Sequence, residues 1–219
     1  MIRVTRTKKP ALLVDKAASW KREIRSASTD AARKKAQGKY GHDEIKQALV
    51  EMFHGKCAYC ESYVPHIDYG HIEHFKPKST PAYFELAVEW NNLLLACGRC
   101  NGVENKGTKF PLAKEGGPLV NPVKENPPRH LRFDFDPMLK LANVLGVSKR
   151  GETTQTILGL NRPDLLKHRS KFVRKLWVIS SRYYDDADAR EIIDSALHPK
   201  EEYSAFALAL KSNLKPNQA

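Results

Sequence analysis

Residues 57–112 read CAYCESYVPHIDYGHIEHFKPKSTPAYFELAVEWNNLLLACGRCNGVENKGTKFPL. The chain's four cysteines, Cys57, Cys60, Cys97 and Cys100, all lie in this stretch as two C-x-x-C pairs. A C-x-x-C turn aims two thiolates at one point, and two such turns complete a tetrahedral site. The spacing therefore predicts one zinc ion with four sulfur ligands. With no open coordination position, that zinc is expected to be structural. Disulfides, or thiols that are merely buried, are the rival reading. Secretory signal and membrane-length apolar run are both missing from the sequence, so a reducing cytosol is expected, where paired cysteines more often hold metal. The 36 residues between Cys60 and Cys97 exceed what a simple zinc ribbon needs, so a functional insertion is expected between the knuckles.

The insertion carries His71, Glu73 and His74 within four residues, with His66 a little before them. In an ideal strand Glu73 and His74 point to opposite faces, unless a strand end re-aims one of them. His71 shares parity with Glu73 and could line a site or simply pack. Trp90-Asn91-Asn92 leads into Leu93 to Ala96, an apolar run expected to be buried. Asn101 directly follows Cys100 and is expected to open a helix. Taken alone, His74 would be read as a satisfied structural histidine beside a zinc knuckle.

The string E-H…N-N-L…C-x-x-C-N…K resembles the HNH endonuclease family, whose ββα-metal core surrounds one divalent cation. The resemblance implies roles residue by residue. Glu73 matches the acidic metal ligand and His74 the general base that activates water. Asn92, directly before Leu93, matches the middle Asn that orients the histidine loop; Asn91 fits that pattern less well. Asn101 matches the terminal metal ligand, which makes this an H-N-N variant. Lys106 resembles the family's trailing Lys, with four residues after Asn101 where the commoner pattern has two. The strings IEHFKPKS, EWNNLLLACGRCN, KGTKFPL, LVNPVKENPPRHLRFDF and TTQTILGLNRPDLLKHR extend the likeness over roughly residues 40–185. They resemble the PtuB-like HNH effectors of Septu-type and retron-associated anti-phage systems, which implies an ATPase partner of the PtuA type.

Elementary chemistry is consistent with such a site. A histidine titrating near neutrality can take a proton from water. A hard cation bound through carboxylate and amide oxygens can stabilise charge on a phosphate and its leaving oxygen. A neutral amide at position 101 favours Mg²⁺ over softer metals, though another divalent cation would also serve. The expected substrate is nucleic acid, DNA ahead of RNA; a ribonuclease, or a non-catalytic zinc module binding nucleic acid or protein, are the alternatives. The chain shows no Walker-type phosphate loop, so control by ATP would come from another subunit.

The remaining chain frames this stretch. The formal net charge is +12, and residues 1–42 carry +9 of it, from 12 Lys/Arg against 3 Asp/Glu. That segment reads as a basic N-terminal arm suited to phosphate contacts or simply solvated, with Trp20 and Leu12-Leu13-Val14 arguing against complete disorder. Residues 43–137 are expected to form the nuclease core with its zinc site and a Pro/Gly-rich connector, and 138–219 a helical region. Within the core, Ile45, Ala48, Leu49, Met52 and Phe53 recur at helical spacing, with Gly55 placed as a C-terminal stop. Leu131, Phe133 and Phe135 alternate as in a strand. Thr153 or Thr154 could cap a short helix to Leu158, and Pro163 begins a longer helix to about Tyr184. Two more helices are expected near Ala187 to Leu197 and from Pro199 to Asn213. The long helix carries Lys167, His168, Arg169, Lys171, Arg174 and Lys175, a basic face that is either solvated or a nucleic-acid surface. The fold class expected is α+β: a zinc-stapled ββα-metal core with helical flanks.

Overall fold

A computed structural model describes residues 1–64 and 69–215. His66 lies outside the described residues. The fold is α+β, with two small antiparallel sheets among the described residues and helical flanks. Packing groups the chain into two units. One comprises Val4–Ala58 and Tyr63–Phe110; the other comprises Met1–Arg3, Tyr59–Ser62 and the chain from Pro111 onward.

The first unit opens with α1 (Ala11–Ser26) and α2 (Asp30–Gln37). Leu13, Ala17 and Ile24 of α1 are buried, at the spacing of one helix face. Thr29 caps α2, its hydroxyl accepting from Ala32 N. The segment before α1 is tied in as well. Arg6 donates to Leu93 O at 2.7 Å and its guanidinium lies 5.2 Å from the Trp90 ring centre. Lys21 and Arg25 pair with Glu89 and Glu85. The basic arm of the sequence reading is thus ordered, and part of its charge is committed to internal partners.

Helix α3 (Asp43–Met52) buries Ile45, Leu49 and Met52, as its periodicity predicts. It ends through left-handed His54 and Gly55, φ 53° and 72°, with Gly55 N–H donating to Val50 O at 2.8 Å. Such a reversal of the last turn favours glycine, which has no Cβ to clash. The chain then enters the first knuckle. Strands β1 (His71–His74) and β2 (Leu93–Ala96) pair antiparallel, with Glu73 opposite Leu94 and His74 opposite Leu93. Every residue of β2 is buried, as expected of the Leu93–Ala96 run. Both faces of β2 are therefore covered, while His71 at the start of β1 is exposed. Between the strands run two 3₁₀ segments, Pro81–Val88 and Trp90–Asn92. Helix α4 (Gly98–Asn101) forms part of the second knuckle and packs on β1. Asn101 closes this helix instead of opening one.

In the second unit, β3 (Leu131–Asp136) pairs with β4 (Leu141–Gly146) in a regular hairpin. β3 agrees with the predicted strand, while β4 falls where helix was expected. Helix α5 (Lys149–Ile157) is capped by Ser148, whose hydroxyl accepts from Gly151 N, not by Thr153 or Thr154. Helices α6 (Pro163–Ser180), α7 (Ala187–Ala196) and α8 (Ser204–Ser212) complete the unit. Pro199 does not start a helix; α8 begins after left-handed Tyr203. Leu176, Tyr183, Ile193, Ala196 and Ala207 form the helical core. No helix among the described residues is long and apolar enough to cross a membrane.

Candidate nuclease site and cysteine cluster

The four cysteines converge. Their sulfurs all lie within 4.8 Å of one another and all four residues are buried. Thiolates at ~2.3 Å from a common zinc stand roughly 3.8 Å apart in a tetrahedron. The cluster can therefore hold zinc, and it leaves no room for an open coordination site. The local geometry follows from the knuckles. Ala58 N donates to Leu95 O at 2.8 Å, so the first C-x-x-C turn is pinned to β2. Cys97 is the N-cap of α4, its sulfur accepting from Cys100 N. Among the described residues, no other group of three or more His, Cys, Asp or Glu side chains could hold a metal.

Next to this cluster, β1 delivers Glu73 and His74 side by side. Both are buried, at 3% and 6% exposure. His74 ends the strand, and the two side chains find different partners. His74 Nε2 lies 3.0 Å from Ala87 O. A carbonyl can only accept, so Nε2 is the protonated nitrogen of the neutral ring and the lone pair resides on Nδ1. Burial holds the imidazole pKa down to about 4; the Ala87 hydrogen bond opposes this, while Lys78 and Lys106 add to it. The ring is neutral at physiological pH. The Tyr40 ring packs nearly perpendicular to it, with centroids 4.4 Å apart.

Asn92 holds the loop that carries His74. Its Oδ1 accepts from Lys76 N at 2.8 Å, and its Nδ2 donates to Lys76 O at 2.9 Å and Leu86 O at 3.1 Å. Three of the amide's four hydrogen-bonding positions are thus used on backbone. The carbonyls of Leu86 and Ala87, neighbours in sequence, grip Asn92 and His74 respectively. Asn91 is exposed.

Glu73 is not alone. Lys106 Nζ lies 2.5 Å from Glu73 Oε1 and also donates to His74 O at 2.9 Å. Lys106 is fully buried. A buried ammonium needs a counter-charge and filled hydrogen-bond positions, and here it finds both at the end of β1. Lys106 lies 32 residues from His74 in sequence, so composition could not show the pairing. Asn101, half-buried, stands at the end of α4. His71, at the start of β1, is exposed. Two further cations flank the loop after His74. Lys76 Nζ lies 5.0 Å from the Tyr83 ring centre, and Lys78 Nζ lies 5.2 Å from that of Tyr40. Tyr40 and Lys78 are the neighbours of His74 that the sequence reading missed.

A family model described as HNH endonuclease matches residues 57–107. A Septu protein PtuB of Bacillus mycoides (strain KBAB4) is 29% identical over 239 aligned positions, covering 90% of this chain and 80% of that protein. A Septu protein PtuB of Bacillus thuringiensis is 36% identical over 167 positions, covering 76% of this chain and 57% of that one. A Septu protein PtuA of Bacillus mycoides (strain KBAB4) shares 28% identity over 151 positions, 58% of this chain but 20% of its own length. The chain carries a domain of the HNH endonuclease family and is a homologue of the Septu PtuB proteins over most of its length.

Proposed function

We propose that this chain is a metal-dependent endonuclease that hydrolyses phosphodiester bonds, DNA ahead of RNA, as the effector of an anti-phage system with a PtuA-type ATPase subunit. One observation carries the catalytic reading: the hydrogen bond from His74 Nε2 to Ala87 O, which leaves the unprotonated lone pair on Nδ1 of a neutral ring. A neutral imidazole aimed by a backbone carbonyl is equipped to accept a proton.

His74 Nδ1 takes a proton from a water molecule. The water oxygen forms a bond to phosphorus as the bond to the sugar oxygen breaks, and that oxygen leaves with the electron pair. Asn92 keeps the loop after His74 in register through Lys76 and Leu86. Lys106 holds the end of β1 through His74 O and Glu73. Glu73 and Asn101 are the residues that would hold the divalent cation, which when bound stabilises charge on the phosphate and the leaving oxygen. The donor set fits: a carboxylate has two oxygens with several lone pairs, so the Lys106 contact at Oε1 is compatible with a cation sharing the group. One carboxylate and one amide oxygen suit a hard cation that keeps several waters. The four cysteines would hold a structural zinc.

The Lys106 pairing also favours a second reading. A carboxylate already neutralised by a buried ammonium needs no metal, which is what a non-catalytic zinc module would show. The two readings separate in one assay. Purified chain, with and without the ATPase subunit, is incubated on plasmid and on total RNA with Mg²⁺, alongside His74→Ala. The nuclease reading expects Mg²⁺-dependent cleavage that His74→Ala slows by about 10²–10⁴-fold. Unchanged nucleic acid in every condition, with Mn²⁺ failing to bind, favours the module.

A further inference from the structure

The second unit holds a basic concavity of about 360 Å³ that the cleavage reading does not use. Lys140, at the end of the β3–β4 turn, faces Lys167, Lys171 and Arg174 on α6, over a floor that includes Leu141 and Leu166. All four cations are exposed, and among the described residues none is held in a salt bridge. The nearby acids are engaged elsewhere. Asp164 pairs with Arg162 at 3.4 Å, and Asp136 Oδ1 accepts from Met138 N and Leu139 N to shape the turn. Lys167 and Lys171 stand at i,i+4, a spacing at which like charges destabilise a helix.

The platform beneath them is rigid. Arg169, 1% exposed, turns inward and donates to Ala142 O at 2.9 and 2.6 Å, to Leu160 O at 2.8 Å and to Asn161 Oδ1 at 2.9 Å. The Ser170 hydroxyl accepts from Ala142 N at 2.9 Å. These bonds lock α6 to β4, so Lys140 and the α6 cations are held in register. Arg169 therefore leaves the basic face that the sequence suggests, and Lys167, Lys171 and Arg174 remain on it.

We propose that this concavity binds the phosphodiester backbone of a nucleic-acid strand, as a site separate from the one at His74. From Lys167 to Arg174 the helix rises about 10 Å. That spans roughly three nucleotide rises along one strand, which a single small anion would not fill. The apolar floor lowers the local dielectric and strengthens the ionic contacts. The proposal shares only the nucleic-acid partner with the cleavage reading, and its test reads binding, which a loss of cleavage leaves untouched.

The test is fluorescence anisotropy of a labelled duplex and a labelled single strand, without added divalent cation, over a salt series. The triple variant Lys167→Gln/Lys171→Gln/Arg174→Gln is compared with a charge-matched control, Lys149→Gln/Arg182→Gln/Lys200→Gln. Melting curves check that each variant folds. The triple should lose on the order of tenfold or more in affinity, and its log–log salt slope should fall by about 2–3 for duplex, near 0.9 per lost contact. Lys171→Gln alone should remove about one unit of slope. Calorimetry with inorganic phosphate separates the free anion from the backbone: tight phosphate binding with unchanged oligonucleotide binding in the triple would overturn the proposal. So would equal losses in the triple and the control, or no nucleic-acid binding by the unmodified chain.

Discussion

The two hairpins of this protein are built on opposite plans. β3–β4 pairs six residues across, turns in four, and alternates buried Leu131 and Phe133 with exposed Arg132 and Asp134. β1–β2 pairs only four, takes 18 residues to return, and buries every position of β2. The first is a structural hairpin. In the second, every position of β2 is committed to packing, and most of the polar groups proposed for the site lie at the end of β1 and in the long connection. That is where His74, Lys76, the Leu86 and Ala87 carbonyls and Asn92 are found. Long ordered connections in compact domains are commonly functional.

Removing a knuckle should break the comparison most completely. Cys97→Ser is expected to lose zinc and yield misfolded or aggregated protein, since ligand binding is folding free energy in small metal modules. Elemental analysis of the unmodified chain should find about one zinc; a stable, zinc-free and active Cys97→Ser protein would contradict the structural role. In the other hairpin, Phe133 is buried and packs edge-on against Phe206, centroids 5.4 Å apart. Phe133→Ala should cost about 3–5 kcal/mol of stability by denaturant unfolding, with activity per folded molecule kept.

Asn92→Ala should do the reverse. It leaves Lys76 N–H and two carbonyls short of a partner, at about 1–3 kcal/mol, and lets the histidine loop shift. A displacement of that kind should lower cleavage by about 10²-fold. If Asn92→Ala and Phe133→Ala lose activity and stability in the same proportion, the division of labour between the hairpins is wrong.

The smallest effect concerns pH. Burial lowers the His74 pKa to about 4, and the Lys78 charge contributes in the same direction. The base should therefore stay neutral well below pH 6.5, with the acid limb of kcat near the lowered value; a bound cation would push it the same way. The unfolded chain binds more protons between about pH 4 and 6.5, so this residue's contribution to stability falls as pH falls through that window. Lys78→Met removes a positive charge, makes protonation easier and should move the acid limb upward. A limb that stays put would show that Lys78 does not act on His74.

How much of this was legible in the sequence varies with the range of the interaction. The cysteine cluster was, because two C-x-x-C turns constrain their thiolates locally. His74 and Asn92 stood out through the family's motif, but their hydrogen bonds to Ala87, Lys76 and Leu86 did not. Lys106 was visible as a trailing lysine, but its ion pair with Glu73 depends on a loop folding back under β1. Tyr40 reaches His74 from 34 residues away, through α2 and the turn after it. The strand β4, LANVLG, has Ala142, Asn143 and Gly146 among its six residues and owes its conformation to pairing with β3. The basic N-terminal segment hid a buried face of Leu13, Ala17 and Ile24 beneath its charge. Deleting it would therefore remove core residues along with cations.

The most direct test of the site is cleavage rate against divalent cation concentration for His74→Ala and Asn101→Ala. Both variants are expected to fold, keep zinc and bind nucleic acid. His74→Ala should cut about 10²–10⁴-fold more slowly, the range for loss of a general base, at every Mg²⁺ or Mn²⁺ concentration. Asn101→Ala should recover part of its activity as the metal is raised. A folded, zinc-loaded His74→Ala protein that cuts at the unmodified rate, or one rescued by excess metal, would contradict His74 as the base.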